Sequence, residues 1–326
     1  MANIRKSVDI IELDDDAKRQ YIDAKTVFEA WEAACQAASK VRGGMYWRRT
    51  GQTEYLIRTS RSNAQKSLGP RTAETEAIYD KFFERKNSVE ARQSSLRQTL
   101  NRHRKLNRVL HVGRAPAIVV EILNVLSAAG LSEHFTVVGT HALYAFETAA
   151  GVRIADSSAM ETRDVDLLWD TRKRVQFVTQ MKLQGSSLVR LLQKVDPTFA
   201  IRHDQRYTAT NRKGFEVDIL RREAEEGDPG AIRLSDDEDD FWVVQARNAS
   251  TLLNAPRFSS VIAATSGHMA RMNTIAPAAF SEFKRWLSEQ HDRDPLKRSR
   301  DRRQAELVDV LVDEYLPQLG DTMRNG

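Results

Sequence analysis

Phe135-Thr-Val-Val-Gly-Thr-His-Ala-Leu-Tyr144 begins as an apolar, strand-like run and turns at Gly139-Thr140 into the start of a helix. Two more strand-like runs follow, and both carry aspartate: Arg163-Asp-Val-Asp-Leu-Leu-Trp169 and Phe215-Glu-Val-Asp-Ile-Leu220. Between them, the pattern from Val175 to Lys194 is helical. This mixture of strand and helix patterns predicts an α/β or α+β core, and we expect the α+β arrangement.

The acidic residues of these runs have a spacing that places them together. On a strand, residues two apart point to the same face, so Asp164 and Asp166 project side by side. Asp218 on a neighbouring strand would complete a cluster, and Glu216 shares its parity and could replace or support it. Close carboxylates repel one another unless cations neutralise them, and oxygen ligands suit Mg²⁺ or Mn²⁺. Two such ions suit nucleotidyl transfer, although an Asp-x-Asp pattern alone is also common by chance.

The Gly139-Thr140 turn has two interpretations. Glycine lets the backbone approach a phosphate closely, a helix N-terminus favours negative charge, and the Thr140 hydroxyl can donate to a phosphate oxygen. The alternative is a tight turn in which Thr140 caps the helix. The Gly-Lys-Ser/Thr ending of a Walker motif is missing. His141 follows and could face the phosphates or pack in the interior.

In this order, the strand with Gly-Thr, the Asp-x-Asp strand and the later strand with Asp resemble the DNA-polymerase-β-like nucleotidyltransferase superfamily. The resemblance implies a mixed sheet with helices as the core. It also implies that Gly139 and Thr140 hold the triphosphate of an NTP and that Asp164 and Asp166 ligate two metal ions. Asp218 would ligate the first ion and act as the base toward the acceptor hydroxyl.

A narrower similarity runs from about Gly43 to Tyr315. Four stretches are similar to a bacterial family of nucleotidyltransferase-like proteins: Ser67-Leu-Gly-Pro-Arg71, Val137-Val-Gly-Thr-His-Ala-Leu-Tyr-Ala-Phe-Glu147, Asp164-Val-Asp-Leu-Leu-Trp-Asp170 and Asp294-Pro-Leu-Lys-Arg298. The chain is also distantly similar to the type IV abortive-infection toxins, through Pro277, Lys284 and the stretch Lys297 to Asp301. That similarity implies that Lys284 contacts nucleotide phosphates and that Asp301 orients it. The alternative for Lys284 is a surface lysine.

Two features depart from the superfamily pattern. Thr140 replaces the more usual Ser but keeps the hydroxyl. The segment between the Gly-Thr turn and the Asp-x-Asp run is longer than usual, and its extra residues, Ala149 to Thr162, could form a loop that covers the nucleotide.

The pattern along the chain predicts three regions. Residues 1–114 form a mainly helical N-terminal region with a hairpin at about 44–58, a break at Ser67 to Arg71 and a long basic helix. Residues 115–270 form the catalytic core, and residues 271–326 form a C-terminal helical segment.

The basic residues are unevenly distributed. The net charge is +5, whereas residues 81–114 contain ten Lys and Arg but two Glu, a net charge of +8. This arm suggests a polyanionic partner, and with the toxin similarity it favours RNA, specifically a tRNA 3′ end, as the acceptor. A solvated helix face is the alternative. Arg212 and Lys213 could contact phosphate or an RNA backbone, or simply end a strand. The acidic run Asp236 to Asp240 could be a partner contact or a solvated loop.

The sequence therefore predicts a magnesium-dependent nucleotidyltransferase of the cytosol. Its one cysteine, Cys35, excludes an intramolecular disulfide. The first residues lack the apolar core of a signal peptide, and no stretch approaches the ~18 apolar residues of a membrane span. An antitoxin partner is consistent with the toxin similarity, although no residue identifies one. Two alternatives stay open: a protein or antibiotic-like small molecule as the acceptor, and a non-catalytic nucleotide-binding module.

Overall fold

The computed structural model describes residues 9–60, 63–228 and 230–319. The chain divides into two compact units: one is Arg19–Val109, and the other combines the described residues up to Lys18 with those from Leu110 onward. The outermost parts of the predicted N-terminal and C-terminal regions, residues 1–8 and 320–326, lie outside the described residues. Within the described ranges, no helix combines the length and the hydrophobicity that crossing a bilayer requires.

The Arg19–Val109 unit consists of long helices and a small antiparallel sheet. Strands β2 (Gly44–Thr50) and β3 (Thr53–Thr59) lie where the hairpin is predicted. The stretch predicted as a break forms most of a further strand, β4 (Gln65–Pro70), which pairs with β3. A bulge between Leu56 and Ile57 accommodates this strand. The helices are α1 (Asp15–Lys40), whose first four residues belong to the other unit, and α2 (Ala73–Val109), which is one continuous helix.

The core of the other unit is a mixed sheet, as the α+β prediction requires. In the described part of the chain, the strands follow one another across the sheet in the order β11 (Ile232–Arg233), β12 (Trp242–Gln245), β10 (Glu216–Arg221), β7 (Asp164–Trp169) and β5 (Phe135–Val138). A further strand, β9 (Thr208–Thr210), pairs with both β10 and β8 (Ala200–Ile201). Strands β7 and β10 are parallel, whereas β5 runs antiparallel to β7.

Helices and a hairpin enclose this sheet. The hairpin strands β13 (Arg257–Ala263) and β14 (Met269–Ile275) pack near β5, where the Thr274 hydroxyl donates to the Val137 carbonyl at 2.7 Å. Trp169 and Phe146 are fully buried in the core. The helices are α3 (Ala117–Ala128), α4 (Leu143–Ala150), α5 (Ser157–Met160), α6 (Arg174–Gln184), α7 (Leu188–Gln193), α8 (Ala249–Asn254), α9 (Pro277–Glu289) and α10 (Pro295–Val310), and a π-helical turn follows at Leu311–Tyr315.

The structure corrects the expected helix from Val175 to Lys194. It is interrupted at Gly185, whose φ of 57° ends α6 in the left-handed conformation that favours glycine. The Asp240 carboxylate then accepts hydrogen bonds from the backbone amides of Leu188 and Val189 at the start of α7. Asp240 is fully buried, so this end of the acidic run is neither a solvated loop nor a free partner contact.

The segment from Ala149 to Thr162 is not a free loop. It contains β6 (Val152–Ile154), which pairs antiparallel with β1 (Ile10–Glu12), and the short helix α5. Asp156 caps α5 and accepts a hydrogen bond from the Arg303 guanidinium at 2.8 Å. These contacts attach the segment to β1 and α10, so it is a structured segment and not an irregular loop, and its role as a cover for the nucleotide stays a prediction.

Candidate active site

The predicted acidic residues meet at one end of the sheet. Asp164 and Asp166 share a face of β7, and the parallel register with β10 places Asp218 directly beside Asp166. Among the described residues, one carboxylate oxygen from each of these three side chains lies within 4.8 Å of the others. The alternation of β7, with Val165 and Leu167 buried, explains why the two aspartates project together.

The three carboxylates repel one another, and a bound cation would neutralise their charge. Burial, and then the charges of Asp164 and Asp218, raise the pKa of Asp166 to about 7, and the lysines Lys284 and Lys297 oppose the shift. Burial also raises the pKa of Asp218, although the Thr208 hydroxyl donates a hydrogen bond to it at 2.6 Å. The carboxylate of Asp164 accepts a hydrogen bond from the Thr162 hydroxyl. Without a cation, Asp166 therefore tends to hold a proton near neutral pH.

The turn after β5 brings backbone against the cluster. Gly139 has a φ of 72°, and a Cβ built there would lie 2.3 Å from Oδ2 of Asp166. Only glycine fits both the conformation and the space. A 3₁₀ turn at Thr140–Ala142 begins here and leads into α4, with Gly139 in the N-cap position. The interpretation of Thr140 as the side-chain cap is therefore wrong.

The Thr140 side chain is tied to helix α10. Its Oγ1 is buried and accepts a hydrogen bond from Nε2 of Gln304 at 3.0 Å, and the same amide donates to the Ala159 carbonyl. This contact leaves the hydroxyl proton of Thr140 available for a further acceptor. Sequence reasoning missed Gln304, which lies one turn after Asp301 on α10.

Lys284 is a buried residue, and its interpretation as a surface lysine is wrong. Its Nζ lies 2.8 Å from Oδ1 of Asp301, which is itself fully buried, and the other oxygen of Asp301 accepts from the Arg293 guanidinium. Burial lowers the pKa of Lys284, while the charges of Asp301 and Asp166 oppose that shift. This arrangement positions a cation beside the acidic cluster. Sequence reasoning also missed Arg293.

A pocket of about 390 Å³ opens beside this site. Gly139, Asp166 and Lys284 line one part of it, and Arg247, Gln290, Asp292 and Arg293 supply further polar groups. Its remaining wall is largely apolar, and the large side chains in that wall are Leu168, Leu220, Leu252, Phe283, Trp286 and Leu287. Sequence reasoning missed this pocket, although the aromatic residues of α9 could have indicated it. It is large enough to hold a small-molecule ligand.

The other candidate residues lie outside this arrangement. Glu216 accepts a hydrogen bond from the Arg202 guanidinium at 2.9 Å and is not part of the carboxylate cluster found among the described residues. Arg212 and Lys213 are exposed in the turn before β10. His141 is buried and stacks on Tyr144, and burial lowers the pKa of this imidazole to about 4. His141 therefore packs in the interior, which was one of the two expectations for this residue.

Comparison with known proteins agrees with this geometry. A family model described as nucleotidyltransferase matches residues 117–325, which include the acidic cluster, the Gly139 turn and helices α9 and α10. No curated protein and no solved structure matches the chain significantly. The matched region covers well over half of the sequence, and its core is the mixed sheet that the resemblance implies. The chain therefore belongs to this nucleotidyltransferase family and is an enzyme of that type.

Proposed function

We propose that the enzyme is Mg²⁺-dependent and transfers a nucleoside monophosphate from an NTP to a hydroxyl group of RNA. The acceptor that we favour is the 3′ end of a tRNA. The acceptor oxygen would bond to the α-phosphorus, the bond to the bridging oxygen would break, and pyrophosphate would leave. The observation that carries the proposal is the carboxylate cluster of Asp164, Asp166 and Asp218 beside the Gly139 turn and Lys284.

The donor set fits two Mg²⁺ ions, or Mn²⁺ in their place. The three carboxylates supply hard oxygen ligands. Burial, and then the charges of Asp164 and Asp218, raise the pKa of Asp166 to about 7, so a cation replaces a proton at little cost. Asp164 and Asp166 would hold both ions, and Asp218 would hold one. When bound, these ions supply positive charge at the attacking and leaving oxygens.

The residues of this chain would then bind the donor and receive the acceptor proton. Gly139 and Thr140 would contact the triphosphate through backbone and hydroxyl, and Lys284 would neutralise phosphate charge. Asp301 would position Lys284 through the 2.8 Å ion pair. Asp218 would accept the proton of the acceptor hydroxyl, the role that the superfamily resemblance implies for this carboxylate. Glu216 would support this strand through Arg202.

The choice of RNA rests on helix α2. Arg97, Arg104 and Arg108 are exposed, and their spacing places them on one face of α2 over about 16 Å of its axis. In the described ranges none of these three forms an ion pair with the protein. Such a row of free guanidinium groups suits the phosphates of a nucleic acid. Arg212 and Lys213, also exposed, would add phosphate contacts. A toxin-like role with an antitoxin partner stays a prediction.

The acceptor can be identified directly. The purified protein is incubated with Mg²⁺, each α-labelled NTP in turn, and either total bacterial RNA, RNA with a blocked 3′ hydroxyl, or no RNA. We expect label in a tRNA-sized band, lost when the 3′ hydroxyl is blocked. Label on the protein itself, or turnover with an aminoglycoside but not with RNA, would refute RNA as the acceptor. Nucleotide binding without pyrophosphate release in every arm would favour a binding module.

A further inference from the structure

The pocket beside the acidic cluster has an apolar wall that phosphate binding does not require. Triphosphates are contacted by charged and polar groups, yet much of this wall is apolar and comes from β7, β10, α8 and α9. A phosphate gains nothing from leucine and tryptophan side chains, because they cannot replace its hydration. The apolar wall therefore fits a different part of the ligand, which is flat and weakly hydrated.

Helix α9 presents an aromatic surface to this pocket. The rings of Phe283 and Trp286 lie 5.8 Å apart at an interplanar angle of 26°, and both residues line the pocket. Trp286 is half-buried, so part of its ring is accessible. Lys284 lines the same pocket two positions earlier, about 3 Å along the helix axis. One ligand can therefore place an anionic group at Lys284 and a planar ring against Trp286.

Two of the polar residues that line the pocket, Arg247 and Asp292, form an ion pair. Nη1 of Arg247 lies 2.7 Å from Oδ2 of Asp292, both residues line the pocket, and both side chains are more than half exposed. The pair presents a fork of N–H donors next to a carboxylate that only accepts. Because exposed ion pairs contribute little to stability, a ligand can rearrange it at small cost.

We propose that this pocket holds the base of the donor NTP, with Trp286 as its stacking surface and the Arg247–Asp292 pair as the group that recognises its edge. The inference rests on the proposed function, because it assumes that the triphosphate lies at Gly139 and Lys284. It assigns selection of the nucleotide to residues that are not part of the metal and phosphate machinery.

The chemistry of the pair favours guanine. Guanine places two acceptors, O6 and N7, beside two donors, the N1 and N2 hydrogens. A guanidinium matches the acceptors and a carboxylate matches the donors. Adenine offers a single exocyclic donor, and cytosine and uracil offer no adjacent pair of donors, so each leaves part of the Arg247–Asp292 pair without a partner.

The test is a calorimetric binding series with the full-length protein and Mg²⁺. Its ligands are the α,β-methylene analogues of the four NTPs, which cannot transfer their nucleotide, and inorganic tripolyphosphate, which has no base. We expect the guanosine analogue to bind at least about tenfold more tightly than tripolyphosphate, a difference of about 1.4 kcal/mol, since its base stacks on an aromatic side chain. Trp286→Ala should remove most of that difference and leave tripolyphosphate binding unchanged, and Trp286→Phe should restore part of it.

Two further variants separate edge recognition from packing. Asp292→Asn should weaken the guanosine analogue and leave the adenosine analogue unchanged. Trp242→Ala is the matched control, because Trp242 is a partly exposed tryptophan on β12 that does not line the pocket. Equal affinities for tripolyphosphate and all four analogues, no effect of Trp286→Ala in folded protein, or preference for another base would each overturn the proposal.

The failure of this inference and that of the proposed function give different results. Base-dependent binding through Trp286 in a protein that transfers no nucleotide would keep the pocket assignment and refute the proposed function. Transfer to RNA by a protein whose nucleotide preference is unchanged in Trp286→Ala and Asp292→Asn would keep the function and refute the pocket assignment.

Discussion

Among single residues, Gly139 has the tightest constraint at the site. Its positive φ and the 2.3 Å separation between its ideal Cβ and the Asp166 carboxylate leave no space for a side chain. The close approach of the backbone places its polar groups beside the carboxylates that would hold metal ions. A methyl group at this position would both displace Asp166 and strain the backbone of the turn.

Gly139→Ala should therefore lower the rate of nucleotidyl transfer by about 100-fold or more, because a displacement near 1 Å has that effect on positioned groups. Gly185→Ala is the control, since Gly185 also has a positive φ but nothing within 4 Å of its ideal Cβ. That variant should lose a small amount of stability and keep its activity. Equal activity of both variants in steady-state assays would contradict the constraint at Gly139.

The raised pKa of Asp166 predicts how pH changes stability without metal. The unfolded carboxyl has its pKa near 3.8 and the folded one near 7, so the folded protein binds more protons between these values. The contribution of Asp166 to stability is full below about pH 4 and is lost as the pH rises toward 7. Stabilisation by Mg²⁺ should grow over the same range, because the ion replaces the proton. Melting curves with Mg²⁺ and with EDTA measure both trends, and Asp166→Asn should remove them.

Among the elements, helices α9 and α10 are joined by two ion pairs of different character. Lys284 and Asp301 are buried, whereas Arg285 and Asp309 are both more than a third exposed. A buried cation that loses its partner cannot recover its hydration, whereas an exposed one can. The buried pair also fixes the lysine that faces Asp166.

Asp301→Asn should thus lower the free energy of unfolding by about 3–5 kcal/mol, the usual effect of breaking a buried pair. Asp309→Asn, on the same two helices, should change it by about 0–1 kcal/mol. Urea unfolding measures both. Lys284→Met combined with Asp301→Leu should recover stability without recovering transfer, and a double variant as unstable as Asp301→Asn would contradict this account of the pair.

The acidic cluster was predictable because it depends on local pattern. Alternation in Asp164-Val-Asp-Leu fixes the parity of the aspartates, and the run Phe215 to Leu220 is apolar enough to be a neighbouring strand. The pocket was not predictable in this way. It depends on residues of β7, β10 and α9 that are far apart in the sequence and line one cavity, and no spacing within α9 specifies that they meet. Local pattern also missed β14, in which Arg271 and Asn273 interrupt the apolar residues.

At the scale of the whole molecule, the positive charge and the chemistry belong to different units. The candidate active site lies within the unit that begins again at Leu110, and the exposed arginines of α2 lie within Arg19–Val109. The sequence predicted the basic arm from composition alone, because charge density needs no tertiary information. It did not predict that the break at Ser67 to Arg71 is a strand, because pairing with β3 overrides the weak strand propensity of Gly69 and Pro70.

Replacing Arg97, Arg104 and Arg108 together by Gln should weaken RNA binding and reduce its salt dependence. Each lost phosphate contact lowers the slope of log K against log salt concentration by about 0.7 for single-stranded RNA. The control variant replaces three other exposed basic residues by Gln and so removes the same charge. They are Lys182 in α6, Arg190 in α7 and Lys194 directly after α7. Filter binding at several salt concentrations compares them. Equal slopes for the two triple variants would show that the arm does not contact the RNA backbone.

The central claim is that the carboxylates of Asp164, Asp166 and Asp218 form the catalytic centre of a nucleotidyltransferase. The most direct measurement is pyrophosphate release together with incorporation of α-labelled nucleotide into RNA, for the wild type and for Asp164→Asn and Asp218→Asn. We predict equal amounts of both products in the wild type with Mg²⁺, and loss of both with EDTA or in either variant that still folds. Undiminished transfer by a folded Asp164→Asn or Asp218→Asn protein would contradict the claim.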